Sequence, residues 1–305
     1  MKKLLLSILL LLLITVSACS NNDNEKESNS TDKADETITY ESEDGPVEVP
    51  ANPQRIVVLS TYAGDVLKLG GNIVGADSWS IENPNFSEGL ADAEEVSDES
   101  LEKIIELDPD LIIGLSTIKN VDKLKEIAPT VTFTYGKVDY LNQHIEIGKL
   151  LNKEKEATEW VNDFEQRAEK LGEEIKAKIG EDATVSVIED YDKQLYVFGN
   201  NWGRGTEILY QAMELKMPEK VKEMALKDGY YALSLEVLPE YAGDYMILSR
   251  NNGSDPSYLE SDTYKNIPAV QNGHVFEVEQ RSFYFNDATT LEFQLDFFEE
   301  KFLQD

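Results

Sequence analysis

Along the chain, short and almost continuously apolar runs alternate with longer amphipathic stretches. "RIVVLS" (Arg55–Ser60) and "DLIIGLS" (Asp110–Ser116) have no polar break of period two, which suits strands buried on both faces of a parallel sheet. "VTFTY" (Val131–Tyr135) reads as another strand, and "TYAGDVLKLGG" after the first as a helix stopped at Gly70. The second half repeats the rhythm with strands predicted at "TVSVIED" (Thr184–Asp190), "QLYVFG" (Gln194–Gly199), "DYMILSR" (Asp244–Arg250) and "HVFEVE" (His274–Glu279). Ahead of them, "ITYESEDGPVEVP" (Ile38–Pro50) reads as a hairpin turning at Asp44-Gly45. Between the halves, Ala157, Trp160, Val161, Phe164, Ala168, Leu171, Ile175 and Ile179 recur in steps of three and four, predicting one helix over Glu154–Ile179 with Gly180 as its stop. At 1.5 Å per residue that helix is about 39 Å long, the width of a lobe. Two α/β lobes on a stiff helical connection follow, and large hinge closure is not expected.

The extreme N-terminus has another pattern. Lys2 and Lys3 precede a 13-residue apolar run from Leu4 to Val16, broken only by Ser7 and Thr15. This is too short to span a bilayer and has the form of a signal-peptide core. It ends in Val16-Ser17-Ala18-Cys19, which resembles a lipobox with Cys19 as the lipid-bearing first residue of the mature chain. Ser20 to about Asp44 is polar and reads as a solvated tether. The expected plan is therefore a signal peptide over 1–18, a lipidated tether over 19–44, an N-terminal lobe over 45–150, a linking helix within 151–180 and a C-terminal lobe over 181–305. A protein held outside the cytoplasmic membrane has no ATP to draw on, which argues against kinases and ATPases.

The two halves also carry a gapless internal repeat. "SLEKIIELDPDLII" from Ser100 aligns with "SLEVLPEYAGDYMI" from Ser234, each reading as a Ser N-cap, a short helix, a turn and a buried strand. Glu102 and Glu236 then fall in the first turns of equivalent helices. Acids favour such positions by about a few tenths of a kcal/mol, and a matched pair of docking acids would look the same. Spacing alone leaves both readings open.

Composition removes several classes of function. With 59 Asp and Glu against 28 Lys and Arg the formal charge is −31, and loss of residues 1–18 takes away two lysines and no acid, giving −33. Nucleic acid is not an expected partner of so acidic a chain. One Cys permits neither an internal disulfide nor a thiolate zinc cage, and two His, His144 and His274, leave little for a protein-built metal site. There is no GxSxG, no Walker A and no GxGxxG, and Gly203-Arg204-Gly205 is too small a match to mean dinucleotide binding. Any metal is expected to arrive already chelated, and the protein is not expected to be an enzyme.

The richest segment is "LYVFGNNWGRGTEIL" (Leu195–Leu209). A strand ends at Phe198, a glycine-containing polar loop displays Trp202 and Arg204, and a helix begins near Thr206. Ligands bind beyond the carboxyl ends of strands in α/β sheets, where this loop lies. Trp202 offers a flat apolar surface and Arg204 a planar cationic fork suited to carbonyl or hydroxamate oxygens. Tyr62, Tyr135 and the Phe283-Tyr284-Phe285 cluster occupy similar strand-to-loop junctions, and Tyr196 is a weaker candidate because its strand position could face either way. Together these rings suggest a cleft lined from both lobes.

The lipobox, "NPQRIVVLSTYAGDVLKLGGNIVG", "DPDLII", the linking helix and "LYVFGNNWGRGTEILYQ" together resemble the iron–siderophore substrate-binding lipoproteins of ABC importers, most closely their ferric hydroxamate-binding branch in Gram-positive bacteria. The resemblance implies two Rossmann-like lobes on a rigid helical backbone, a shallow cleft for an Fe(III)-siderophore, and no intrinsic cofactor. It implies that Trp202 and Arg204 contact the siderophore and that Tyr196, Tyr135 and Glu207 form or support the site. Tyr284 stands where close relatives have Trp, so that contact is altered. Glu102 and Glu236 match acids that dock on permease arginines. The implied protein is a monomer on the outer face of the cytoplasmic membrane, anchored through Cys19 and partnered by an ABC permease with its ATPase. The sparse cations near the candidate loops, Arg204, Arg281 and Lys137, agree with neutral or cationic hydroxamates better than with a ferric catecholate. Two alternatives stay open: a receptor for another bulky chelate (haem, with Tyr284 or Tyr135 as axial ligand, cobalamin or a ferric catecholate), and an extracytoplasmic hydrolase using a carboxylate pair.

Overall fold

The computed structural model describes residues 36–251, 253 and 255–304, so the signal peptide, Cys19 and the tether up to residue 35 lie outside the described residues. The folded body begins at Thr37. Strand β1 (Thr37–Ser42) pairs antiparallel with β2 (Gly45–Pro50), with Ser42 opposite Gly45. The hairpin expected over Ile38–Pro50 is thus present, turning at Glu43-Asp44, one residue earlier than Asp44-Gly45, and residues 37–44 belong to it and not to the tether. Tyr40 and Val49 explain the difference, because both are buried in the N-terminal core.

In the N-terminal lobe, β3 (Ile56–Val58), β4 (Ile73–Ala76), β5 (Glu94–Glu95), β6 (Leu111–Leu115) and β7 (Thr130–Phe133) form a five-stranded sheet of order β5-β4-β3-β6-β7. All its pairs are parallel, and the apolar runs that predicted β3, β6 and β7 are buried throughout or nearly so. Around it lie α1 (Ala63–Lys68), α2 (Ser78–Ile81), α3 (Leu101–Glu106), α4 (Val121–Lys125) and α5 (Tyr140–Leu150). Then α6 spans Glu154–Ile179, 26 residues, with Ala157, Val161, Phe164, Ala168, Leu171 and Ile175 buried as the periodicity requires.

The C-terminal lobe repeats the strand order. β8 (Val185–Tyr191), β9 (Gln194–Phe198), β10 (Tyr230–Leu233), β11 (Tyr245–Arg250) and β12 (Val275–Glu279) are arranged β10-β9-β8-β11-β12. Here β9 runs antiparallel to both neighbours. The cause is local: Tyr191 pairs with Gln194 across Asp192 and Lys193, both left-handed (φ 47° and 64°), a two-residue hairpin turn. The lobe's helices are α7 (Glu219–Ala225), α8 (Asp262–Lys265), α9 (Pro268–Gln271) and α10 (Gln280–Phe283), with a π-helical turn at Ile208–Ala212.

The internal repeat is visible as a shared clamp. Asp110 accepts from the backbone N–H groups of Gln54 and Arg55 at 2.6 and 2.9 Å, just ahead of β3. Its counterpart Asp244 accepts from Thr184 N–H and Oγ1–H at 2.8 and 2.9 Å, just ahead of β8. The helices differ. Glu102 does sit in the first turn of α3, but Glu236 lies in a turn ahead of a 3₁₀ segment, Leu238–Glu240. Pro239, with no N–H and a fixed φ, prevents the α-helix expected there. Ser100 also makes no side-chain cap; its Oγ accepts from Ser97 N–H instead.

A second crossing between lobes joins the long helix. Phe283 belongs to the C-terminal core, whereas Phe285 is buried in the N-terminal core and stacks on Phe86 at 6.0 Å. From there α11 (Ala288–Leu303) starts against α1: Ala288 N–H donates to Asp65 at 3.0 Å and Thr289 Oγ1 to the Gly64 carbonyl at 2.7 Å. It ties back to α6, since Glu292 accepts from Trp160 Nε1 and from both terminal nitrogens of Arg167. Two connections in place of one stiffen the frame around the space between the lobes.

Candidate ligand-binding cleft

Between the lobes lies a cleft of about 540 Å³. Its N-terminal wall comes from the loop after β3 (Thr61, Tyr62), Asp65 on α1, the loop after β7 (Tyr135–Asp139) and the first turn of α5 (Tyr140, Gln143). Its C-terminal wall comes from Asn200, Asn201 and Trp202 after β9, from Glu207 and Gln211 behind them, and from Asn286 on the second crossing. Tyr135 and Trp202 meet across it edge to face, with ring centroids 5.8 Å apart. Tyr230 flanks Trp202 at 5.5 Å, which continues the aromatic surface along β10.

The C-terminal loop is held in an unusual conformation. Gly203, Arg204 and Gly205 are consecutively left-handed, at φ 68°, 59° and 81°. A Cβ on residue 203 would stand 2.3 Å from the Tyr284 carbonyl oxygen, and one on residue 205 2.7 Å from the Phe298 ring, so both glycines are dictated by close approach. Glu207 caps the loop from inside, accepting from Gly203 N–H at 3.0 Å, Thr206 Oγ1–H at 3.0 Å and Asn286 Nδ2–H at 2.8 Å. Burial nevertheless pushes its carboxyl above the ordinary value. Gln211, in the π-helical turn, donates to the Asn200 carbonyl.

Arg204 is not presented to the cleft. It is 7% exposed, forms two parallel hydrogen bonds to Glu189 on β8 (3.1 and 3.0 Å), and donates to the Trp202 carbonyl at 3.0 Å. Burial works against its charge and Glu189 more than offsets this, so its pKa lies above the ordinary value. The guanidinium is sandwiched between Tyr284 at 4.0 Å and Phe198 at 4.7 Å, and Tyr284 in turn stacks on Trp79 of the other lobe at 4.6 Å. Arg281 and Glu82 (2.8 Å) and Asn85 and Ser282 (2.8 Å) bridge the lobes beside this stack.

The periplasmic binding protein family profile matches residues 56–281. The chain belongs to the periplasmic binding protein family. This binding protein is 39% identical over 282 residues to the iron(3+)-hydroxamate-binding protein FhuD of Bacillus subtilis (strain 168), covering 90% of this chain and 89% of that one. The FhuD protein of S. pseudintermedius superimposes with a TM-score of 0.80 at 35% identity, covering 88% of this chain and 99% of that one. FhuD2 of Staphylococcus aureus with bound ferrioxamine B superimposes at 0.78 and 37% identity, covering 83% and 99%.

Of the residues singled out in the sequence, Tyr62, Tyr135, Trp202 and Glu207 line the cleft of this binding protein. Arg204, Tyr284 and Tyr196 do not: the first two form the stack behind Trp202, and Tyr196 packs edge-on against Tyr230 at 6.0 Å. Glu102 and Glu236 are exposed, one on each lobe, and the Ser234 hydroxyl holds Glu236 below the ordinary carboxyl value. Sequence reasoning missed Gln143, Trp79 and Tyr230. Trp79 obeys the rule of an aromatic just past a strand end, but its strand, the short "IVGA" of β4, was not recognised. Glu189 had a signal too: an acid inside an otherwise buried strand needs a cation. Neither His lines the cleft. His144 is buried with Nδ1 2.9 Å from Asp65, and His274 stacks on Tyr245 at 4.2 Å. Among the described residues no group of three or more His, Cys, Asp or Glu is placed to hold a metal ion.

Proposed function

We propose that this protein is an extracytoplasmic receptor that takes a ferric hydroxamate siderophore into the interlobe cleft and hands it to an ABC importer. The observation that carries this reading is a roomy cleft whose opposed walls are the rings of Tyr135 and Trp202, in a chain closely similar to proteins named for iron(3+)-hydroxamate binding. The siderophore supplies every iron ligand, and the protein supplies stacking area and hydrogen bonds. Trp202, Tyr135, Tyr62 and Glu207 act at the cleft surface. Arg204 and Tyr284 position Trp202 from behind, and Tyr196 extends the aromatic wall. The acids Asp65 and Asp139 lining the cleft oppose a ferric catecholate carrying about three negative charges. Glu102 and Glu236 serve as docking points for the permease, Cys19 carries the lipid that holds the protein to the outer face of the membrane, and the receptor works as a monomer without catalysis.

The test is a tryptophan-fluorescence titration with ferrioxamine B, ferrichrome, a ferric catecholate and hemin, repeated on Trp202→Ala. Saturable quenching by the two hydroxamates is expected, weakened about tenfold or more by the substitution. Tight capture of the catecholate or of hemin that ignores Trp202 would overturn the assignment.

A further inference from the structure

The β1–β2 hairpin lies ahead of residues 56–281, the stretch shared with the family profile, yet it touches the turn that carries Tyr135 and Lys137 of the cleft wall. The contact is made by Glu43 in the hairpin turn. Thr134, Tyr135, Gly136 and Lys137 form a tight turn after β7, closed by Lys137 N–H donating to the Thr134 carbonyl at 3.1 Å. Gly136, at φ 73°, occupies the third position, where a type II turn needs a left-handed residue. Tyr135 is displayed at the corner, and Glu43 holds the turn on both sides of it. One carboxylate oxygen accepts from Thr134 N–H at 3.1 Å and the other lies 3.3 Å from Lys137 Nζ. Next to it, Thr132 Oγ1 donates to Asp44 at 3.4 Å. Lys137 is the one Lys, Arg or His among the described residues that line the cleft. Glu43 is therefore placed to do two things: to fix the turn that aims Tyr135 at Trp202, and to offset the charge of Lys137 at the cleft wall, where Asp65 and Asp139 supply negative groups.

We propose that Glu43 is a specificity-determining and positioning residue, through which the N-terminal hairpin tunes the cleft toward cationic chelates over neutral and anionic ones. The inference rests on the receptor reading above. Glu43→Gln separates its two effects, since the amide oxygen still accepts from Thr134 N–H while the charge is gone.

The experiment measures affinity for ferrioxamine B, whose free ammonium makes the complex cationic, and for the same complex acetylated on that amine, which is neutral. The native protein should prefer the cationic form. Glu43→Gln should shrink that preference about two- to fivefold at low salt, an effect that fades near 1 M salt where screening acts within about 3 Å. Adding Lys137→Met to Glu43→Gln should restore it. Glu43→Ala should weaken both forms together, because Tyr135 loses its clamp. If the native protein binds both forms and Glu43→Gln leaves their ratio unchanged, this inference falls and the receptor reading stands. If the native protein binds neither, the receptor reading falls with it.

Discussion

The N-terminal sheet, β5-β4-β3-β6-β7, and the C-terminal sheet, β10-β9-β8-β11-β12, match strand for strand, yet they present their cleft rings by different physical means. In the N-terminal five-stranded sheet every pair is parallel, and Tyr135 stands on an ordinary turn after β7, held from outside by a partly exposed carboxylate. In the C-terminal lobe β9 is reversed, and Trp202 stands on a loop of consecutive left-handed residues backed by a buried ion pair and an aromatic stack. One wall is adjustable at little cost; the other is fixed by the core of its lobe. A receptor for bulky chelates gains from the asymmetry, because a rigid platform sets the stacking plane while the opposite ring adapts to cargo shape.

The sharpest way to break the comparison is to remove the cation on each side. Arg204→Met should destabilise the protein by about 3–5 kcal/mol, because Glu189 would be left buried and charged. Its remaining side-chain partner would be Ser249 Oγ at 3.1 Å. Lys137→Met removes a pair whose lysine side chain is 54% exposed and should cost less than about 1 kcal/mol. Urea denaturation of both variants decides this, and a similar cost for the two would mean the walls are equally soft. Pairing Arg204→Met with Glu189→Leu should recover much of the loss, since no unpaired charge remains.

The two turn glycines sharpen the contrast at smaller scale. Gly203→Ala meets the Tyr284 carbonyl at 2.3 Å with φ at 68°, so strain and overpacking together should cost about 2–4 kcal/mol and displace Trp202. Gly136→Ala, at φ 73° but with nothing within 4 Å of its Cβ, should cost only about 1 kcal/mol, the left-handed term alone. Thermal unfolding gives both numbers, and the quench of Trp202 by ferrioxamine B should survive only the second.

What could be read from the sequence follows the range of the interactions involved. The linking helix was legible to the residue because its period repeats over 26 positions, and β3 and β6 were legible because burial on both faces leaves a continuous apolar run. The second crossing was not, since nothing near Phe285 says that it belongs to the other lobe's core. β5 is two exposed glutamates and leaves no apolar trace. In the cleft, Trp202, Tyr135 and Tyr62 were found from their place beyond strand ends. The inward turn of Arg204 was not, because it is set by Glu189 across the sheet, fifteen residues earlier in the chain.

The repeat itself offers the finest test of the shared plan. Asp110 and Asp244 each bind two donors just ahead of the first strand of their sheet, so each ties the lobe's entry segment to the turn before its fourth strand in the order. If the lobes are equivalent scaffolds, Asp110→Ala and Asp244→Ala should each destabilise by about 1–3 kcal/mol, the range for charge-assisted hydrogen bonds, and by similar amounts. Asp244 has one difference in its favour: the Thr184 hydroxyl both donates to it and accepts from its N–H at 3.1 Å, so half of its contact involves a side chain. Thr184→Val should therefore reproduce part of the Asp244→Ala loss. The Asp110 clamp uses two backbone N–H groups, which no substitution of Gln54 or Arg55 other than to proline can delete. Chemical denaturation of the three variants checks this. A cost confined to one lobe would mean that the repeated aspartate is a relic of common sequence, with the clamp needed only where the sheet is otherwise weakly held.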